Sequence, residues 1–460
     1  MKKNITITGA GLVGSLLSIY LSKRGYKVKV FERRDDMRKE KMVAGRSINL
    51  ALSDRGLLAL DKVGLADEIK KIAIPMHGRF IHNLDGSTAF QPYGKQGQYI
   101  NSVSRATLNM KLMDLAEEQG VEIFFNHKCE TIDWKSNTIS FEVANIEPAG
   151  LPPVGKPAER HLISNFELLL GADGAFSAAR LQHQLQHDKF DYQQHYIDCG
   201  YKELTIPPTS SGNFAMEVNA LHIWPRKDYM LIALPNLDKT FTCTLFFPFE
   251  GEASFSKLNT EEKVGKFFQK IFPDAVPLMP DYVNEFFNNP TSSLVTVKCF
   301  PWIREDKFAL IGDAAHAIVP FFGQGMNCGF EDCRILDELI EKYGDDWETI
   351  LNEFQFSRKP DADAIADMAI NNFTEMRDKT ADPEFLLQKK IEAKLHERYP
   401  DKWIPAYSQV AFSPHIRYSD ALKRGQKQEA IMQEIMQMDK INEIWDSPDL
   451  HLQIIKQASV

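Results

Sequence analysis

Three glycines and one acid near the start of the chain are spaced to hold a dinucleotide. Gly9-Ala-Gly11-Leu-Val-Gly14 follows the β-rich run Ile5-Thr6-Ile7-Thr8 and opens an apolar-periodic segment ending near Leu21. A second strand, Lys27-Val28-Lys29-Val30-Phe31, then ends at Glu32. Glycines at this spacing allow a tight turn, close approach of backbone to a pyrophosphate, and close packing of helix on strand. The helix N-terminus adds free N–H donors and the positive end of its dipole. Glu32 would accept from a ribose hydroxyl, and an acid there disfavours a 2′-phosphate, so FAD or NAD suits the site better than NADP.

Two later segments carry related chemistry. Phe166-Glu-Leu-Leu-Leu-Gly171-Ala-Asp173-Gly174 is an apolar strand breaking into a Gly/Asp turn before a helix start near Ser177. Alone, it is also compatible with an ordinary strand-turn-helix corner. Phe308-Ala-Leu-Ile-Gly312-Asp313 is a second buried strand, and it leads through Pro320-Phe321-Phe322-Gly323-Gln324-Gly325-Met326-Asn327 into a helix-like stretch from Cys328 to Leu339. A strand ending in Gly-Asp, followed by a Pro/Gly loop and a helix N-terminus, can hold one cofactor hydroxyl and aim backbone donors at an anion.

These elements need a sizeable frame, and the chain supplies one. At 460 residues it is long enough for about three folding units. Its 43% hydrophobic and 25% charged residues are typical of globular chains. A net charge of -9 leaves no basic footprint for nucleic acid, which is therefore not expected as a partner. The six cysteines, Cys129, Cys199, Cys243, Cys299, Cys328 and Cys333, match neither a zinc spacing nor a disulfide framework, so no metal is expected. Met1-Lys2-Lys3 and the uncharged stretch to Ser22 mimic a signal peptide, but three glycines and the lack of a small-residue cleavage site oppose that reading. With no run near 20 apolar residues, the expectation is a cytoplasmic protein without a membrane anchor.

In order and wide spacing, the three glycine-containing segments resemble the single-component FAD-dependent aromatic hydroxylases, the para-hydroxybenzoate hydroxylase-like family. The resemblance implies an α/β chain: a discontinuous Rossmann-like FAD-binding domain, an inserted β-sheet substrate domain and a C-terminal helical region. It implies bound FAD held by Gly9, Gly11, Gly14, Glu32, Arg105, Asp173, Gly174, Gly312, Asp313, Gly323, Gly325, Met326 and Asn327. Arg33 lies in a mixed charge run to Lys41 that reads first as a solvated loop, although this side chain could reach the adenosine. NADPH is implied as co-substrate by the resemblance alone, since no second nucleotide fingerprint is present.

Further stretches resemble the branch of that family that hydroxylates L-kynurenine: Gly45-Arg46-Ser-Ile-Asn49, Gln91-Pro-Tyr93-Gly94, Gly200-Tyr-Lys-Glu203-Leu, Ala220-Leu-His222-Ile-Trp224-Pro225, Ile232-Ala-Leu-Pro235-Asn236 and Ile404-Pro405-Ala-Tyr407. The implied reaction gives 3-hydroxykynurenine, using O2 through a C4a-hydroperoxyflavin, with no side chain acting as a nucleophile. By this resemblance Arg79 clamps the substrate carboxylate, while Tyr93, Asn372 and Tyr407 add hydrogen bonds. Leu221, Met230, Ile232, Leu234, Phe246, Pro320 and Phe321 form the apolar walls. Each has a plainer alternative: an arginine between apolar residues often snorkels to the surface, and Met230 to Leu234 is first of all a strand with one face on the core. His316 and Phe322 read as packing residues in the flavin loop. A related FAD hydroxylase of another aromatic acid, or a non-catalytic flavoprotein serving as a redox or partner-binding module, stays open.

The motifs divide the chain into 1–75, 100–185 and 300–345 for the FAD-binding domain, 76–99 and 186–299 for the substrate domain, and 346–460 for the helical region. A Pro/Gly-rich linker at 148–157 falls inside an FAD-domain hairpin. Ile431, Ile435, Met438, Ile441 and Trp445 fall near one helical face, predicting a helix packed on the body, with a lid or a membrane-seeking helix as the alternative.

Overall fold

The computed structural model describes residues 2–39, 49–95, 97–143, 160–378 and 382–459. Its strands, numbered in chain order, form four sheets. The nucleotide-type sheet has the order β18-β19-β12-β1-β2-β8, where β1 is Asn4–Thr8, β2 Lys27–Phe31, β8 Glu122–Phe124, β12 Leu168–Gly171, β18 Ile303–Arg304 and β19 Phe308–Leu310. All its pairings are parallel except that of β18 with β19. Parallel strands covered on both faces read as unbroken apolar runs, which is why Leu168-Leu169-Leu170 can be buried entirely. Helix Leu12–Lys23 packs beside helices Arg105–Glu118 and Gly325–Tyr343, and β12 lies between β1 and β19, so the three segments carrying glycines close on one another.

The second large sheet has the order β17-β13-β16-β15-β14-β5-β6. Its strands are β5 Gly78–His82, β6 Thr88–Pro92, β13 Asp191–Ile206, β14 Ala220–Arg226, β15 Tyr229–Pro235, β16 Phe241–Pro248 and β17 Ser292–Phe300. Only β5 and β14 pair in parallel. Alternation along the strands makes two faces. Trp224, Leu231, Leu245 and Leu204 turn to a core shared with helices Glu261–Ile271 and Tyr282–Asn288. Ile223, Met230 and Phe246 turn the other way, toward Phe321 and Phe322 of the turn Pro320–Phe322.

Two three-stranded sheets complete the β structure: β3 Asn49–Leu52, β7 Ile100–Ser104 and β4 Ala73–Met76 in the order β3-β7-β4, and β9 His127–Asp133, β10 Thr138–Val143 and β11 Arg160–Asn165 in the order β11-β10-β9. The linker at 148–157 lies outside the described residues, as do Gly45 and Arg46, although β10 and β11, which flank the linker, pair antiparallel.

Beyond residue 346 the described chain is helical. The single-face pattern from Ile431 to Trp445 is corrected: the helix Tyr418–Met436 ends first, and a short helix Ile441–Ile444 restarts after Lys440, whose φ of 59° breaks the run. Ile431, Ile435 and Ile441 still share one core with Ile391, Trp403 and Ile454. Among the described residues no helix is long and apolar enough to cross a membrane.

Candidate functional site

The turn after β1 explains its glycines. Gly9 has φ +95°, and a Cβ there would lie 2.6 Å from the Ala172 carbonyl oxygen at the end of β12. At Gly14 a Cβ would stand 2.0 Å from the Gly9 carbonyl, so only glycine lets the helix approach the turn this closely. Gly11 is the reverse case: a Cβ would meet nothing, because this N-cap residue borders open space before the helix Leu12–Lys23. That bare edge is the place where a pyrophosphate could touch backbone.

Glu32 is 5% exposed at the end of β2 and accepts from the Ala10 N–H at 2.9 Å and the Arg34 Nε at 2.7 Å. Burial raises its pKa, but the Arg34 hydrogen bond and charge outweigh that and hold the carboxyl below its usual range. Arg33 is exposed, while Arg34 is the arginine on Glu32. Side chains two apart at a strand end share a side, a signal that could have selected Arg34.

Asp173 caps the helix Ala178–Leu185, accepting from the Ser177 hydroxyl at 2.5 Å and the Ala178 N–H at 2.8 Å, beside Gly174 at φ +84°. Arg180, missed by the sequence reading, donates to the Ala175 and Ala314 carbonyls and so ties this turn to the Gly312-Asp313 turn. Asp313 is half-buried and makes no hydrogen bond to any described residue. Burial raises its pKa, opposed by the charges of Arg105 and His316. Arg105, exposed at the start of its helix, likewise has no hydrogen-bonded partner among the described residues. A bare glycine edge, a carboxylate without a described hydrogen-bond partner and a guanidinium whose charge reaches that carboxylate fit a phosphate- and hydroxyl-bearing cofactor.

The segment from Gly312 to Asn327 rests on a buried ionic network. Asp332 accepts from the Gly312 N–H (3.1 Å), the His316 Nε2 (2.5 Å) and the Arg358 Nε (2.7 Å). Arg358 also meets Glu331, which binds Arg55. Burial alone would lower the His316 pKa, yet the Asp332 charge holds it well above the usual value. His316, Cys328 and Asp332 are close enough together to hold a metal ion, but Arg358 already donates to Asp332 and lies 3.4 Å from the Cys328 sulfur. Asn327 is buried and saturated: it donates to the Ala51 and Gly323 carbonyls and accepts from the Ser53 N–H. Gly323 adopts φ +66°, Gly325 begins the helix Gly325–Tyr343, and Met326 packs on the core beneath.

A second cluster is an aromatic corner packed on the seven-stranded sheet. Tyr93 and Tyr407 stack with centroids 5.2 Å apart, and the Arg79 guanidinium sits 5.6 and 5.5 Å from the two rings. Burial raises the pKa of both tyrosines, so they remain phenols able to donate. Leu221, Ile232 and Leu234 pack with these rings, and Met230, Phe246 and Phe321 extend the apolar wall. Asn372, on the helix Trp347–Asp378, donates to the Phe321 carbonyl at 2.6 Å. Pro320 opens the turn Pro320–Phe322 directly before Phe321 and is exposed.

The comparisons agree on one relationship. Residues 2–369 match the family model described as an FAD binding domain. The chain is 51% identical to the kynurenine 3-monooxygenase of Flavobacterium johnsoniae over 98% of both chains, and 44% identical to that of Sus scrofa over 94% of this chain and 88% of the relative. Among solved structures, 2-methyl-3-hydroxypyridine-5-carboxylic acid oxygenase in its tetrameric form superposes with a TM-score of 0.66 at 18% identity, covering 84% of this chain and 95% of that one. Pseudomonas aeruginosa PqsL in complex with 2-aminobenzoylacetate gives 0.64 at 18%, covering 82% and 97%. These two structures share the fold.

Proposed function

The chain belongs to the kynurenine 3-monooxygenase family of FAD-binding proteins, and we propose how its described residues divide that work. The enzyme is an FAD-dependent monooxygenase converting L-kynurenine, O2 and NADPH, with one proton, to 3-hydroxykynurenine, NADP⁺ and water. FAD, when bound, supplies electron transfer from NADPH, the usual co-substrate of this class, and the activation of O2. Gly9, Gly11 and Gly14 would leave room for its pyrophosphate, and Glu32 and Arg33 would serve its adenosine end. Arg105, Asp313 and the Asp173-Gly174 turn would serve the ribityl side. The N-terminus of the helix Gly325–Tyr343, entered through Gly323 and flanked by Met326 and Asn327, would turn its positive dipole end toward the ring.

Arg79 would take the substrate carboxylate with its planar fork, and the phenols of Tyr93 and Tyr407, together with Asn372, would complete the clamp. Leu221, Met230, Ile232, Leu234, Phe246, Pro320 and Phe321 would hold the ring and keep water from the reacting atoms. The observation that carries the reading is the Arg79 guanidinium cornered by two stacked tyrosines on a sheet face that looks toward the flavin loop. The same proposal divides the chain at 1–75, 100–185 and 300–345 against 76–99 and 186–299, with 346–460 as the helical cover. A cytoplasmic location belongs to it, supported by six cysteines that are all buried and match no disulfide framework in their spacing.

The test is NADPH oxidation by the flavin-loaded protein with and without L-kynurenine, with the product followed by mass. The expected result is stimulation together with a gain of one oxygen. Stimulation without that product would make kynurenine an effector only. No stimulation would move the substrate to another aromatic acid.

A further inference from the structure

The sheet face that bears Arg79 carries a second ionisable group at its far side. Alternation along β13 sends Leu204 and Ile206 into the core beneath helices Glu261–Ile271 and Tyr282–Asn288, and therefore sends Glu203 to the pocket-side face. The register there forms a row: Ile223 opposite Ile232, Ile232 opposite Thr244, and Thr244 opposite Glu203. Arg79 belongs to β5, on the other side of β14, where it pairs with Leu221. Four inter-strand steps, about 19 Å, separate the backbones of β5 and β13.

The two ends of this face differ in surroundings. Arg79 has the tyrosine corner, whereas Glu203 has the charge of Arg105, which also acts on Asp313. The Glu203 end therefore adjoins Arg105 and Asp313, while Phe322 reaches the other end, where it stacks on Tyr407. The Glu203 Oε2 is buried with no hydrogen-bond partner among the described residues. Burial pushes this carboxyl up to about 7 against the opposing pull of Arg105, so a large carboxylate fraction exists at neutral pH. A buried acceptor left unpaired costs about 1–3 kcal/mol, which a ligand bringing a donor would remove.

We propose that Glu203 is a specificity-determining residue that accepts a hydrogen bond from the aromatic amine of the substrate, at the opposite end of the pocket from the Arg79–carboxylate pair. This rests on the kynurenine reading and extends it. An aryl amine ortho to a ketone adjoins the ring carbon to be hydroxylated, so fixing the amine fixes which carbon faces the flavin. A site built to accept from an N–H also rejects the analogue lacking it, because the acceptor is then buried unpaired.

The experiment measures dissociation constants in the FAD-loaded protein from the perturbation of flavin absorbance. The probes are L-kynurenine and its desamino analogue, with the same side chain and ketone on an unsubstituted phenyl ring. The wild type should prefer kynurenine by at least about tenfold, ~1.4 kcal/mol. Glu203→Leu should bring the ratio close to one by weakening kynurenine alone, and Glu203→Gln, which keeps a carbonyl acceptor, should fall between. A wild-type ratio near one overturns the proposal. So does a ratio unchanged in Glu203→Leu or, should that variant not fold, in Glu203→Gln. Weaker FAD retention at an unchanged ratio would make Glu203 a counterion of Arg105 and nothing more. If kynurenine leaves the wild-type flavin spectrum untouched, the kynurenine reading itself fails and takes this role with it; binding of both probes with equal affinity defeats the role of Glu203 alone.

Discussion

In the proposed cofactor cradle the decisive groups are backbone, set by where a Cβ cannot be, whereas in the proposed substrate slot they are side chains gathered from five separate stretches of chain. Gly9 and Gly14 sit within six residues of each other, and their environment is their own turn and the end of β12. Arg79, Tyr93, Ile232, Phe321 and Tyr407 come from places up to 328 residues apart. A cradle of the first kind tolerates no added atom. A slot of the second kind tolerates change in its walls and concentrates its specificity in a few polar groups.

The largest expected effect lies in the cradle. Gly14→Ala puts a Cβ 2.0 Å from a backbone oxygen that cannot move aside, so the purified variant should carry no FAD; a normal flavin content would break the contrast. Next comes the support below the flavin loop. Arg358→Ala removes the cation shared by the buried carboxylates of Glu331 and Asp332 and should cost about 3–5 kcal/mol of stability, read as a lowered unfolding midpoint in urea. A change under about 1 kcal/mol would mean the network is dispensable.

A smaller, selective effect belongs to the slot. Arg79→Ala should raise the kynurenine KM by roughly 10- to 100-fold, the worth of a charge-assisted pair, with flavin content unchanged. An unaltered KM removes Arg79 from the carboxylate role. The smallest effect depends on pH and comes from the back of the slot's sheet, where His222 bridges His82 and the Glu217 carbonyl. Burial lowers its pKa to about 4. Being neutral when folded, His222 contributes stability that is present above about pH 6.5 and is lost as pH falls through about 4, at most ~3 kcal/mol. Between those limits the melting temperature of the wild type should therefore fall more steeply than that of His222→Gln, and parallel curves would refute the assignment.

The same contrast explains what the sequence disclosed. The glycine turn, β2 and Glu32 were legible because local backbone geometry dictates their residue types over about thirty positions. Arg180 and Arg358 were not, since an arginine tied to a distant carbonyl or carboxylate has no local signature, whereas Arg34 stands only two residues from its Glu32 partner and could have been found. The break after Met436 escaped because Lys440 takes a left-handed conformation that glycine or asparagine would have advertised. Glu203 stood in a quoted stretch without a role, which only the strand register could suggest.

The parallel pairing of β5 with β14 bears on how the chain is made. Arg79 emerges from the ribosome about 140 residues before the Leu221 it must face, and β12 gains its outer neighbour β19 about 140 residues after its own synthesis. At about 5–20 residues per second, each early edge waits on the order of ten seconds or more for its partner. The hairpin β5–β6 must spend that interval with an open flank, and the exposed Phe90 on β6 adds an apolar side chain to it. Neither of the two large sheets can therefore be finished in the order in which it is translated, and synthesis rate and chaperone supply should govern the yield of active protein more than the stability of the finished fold does.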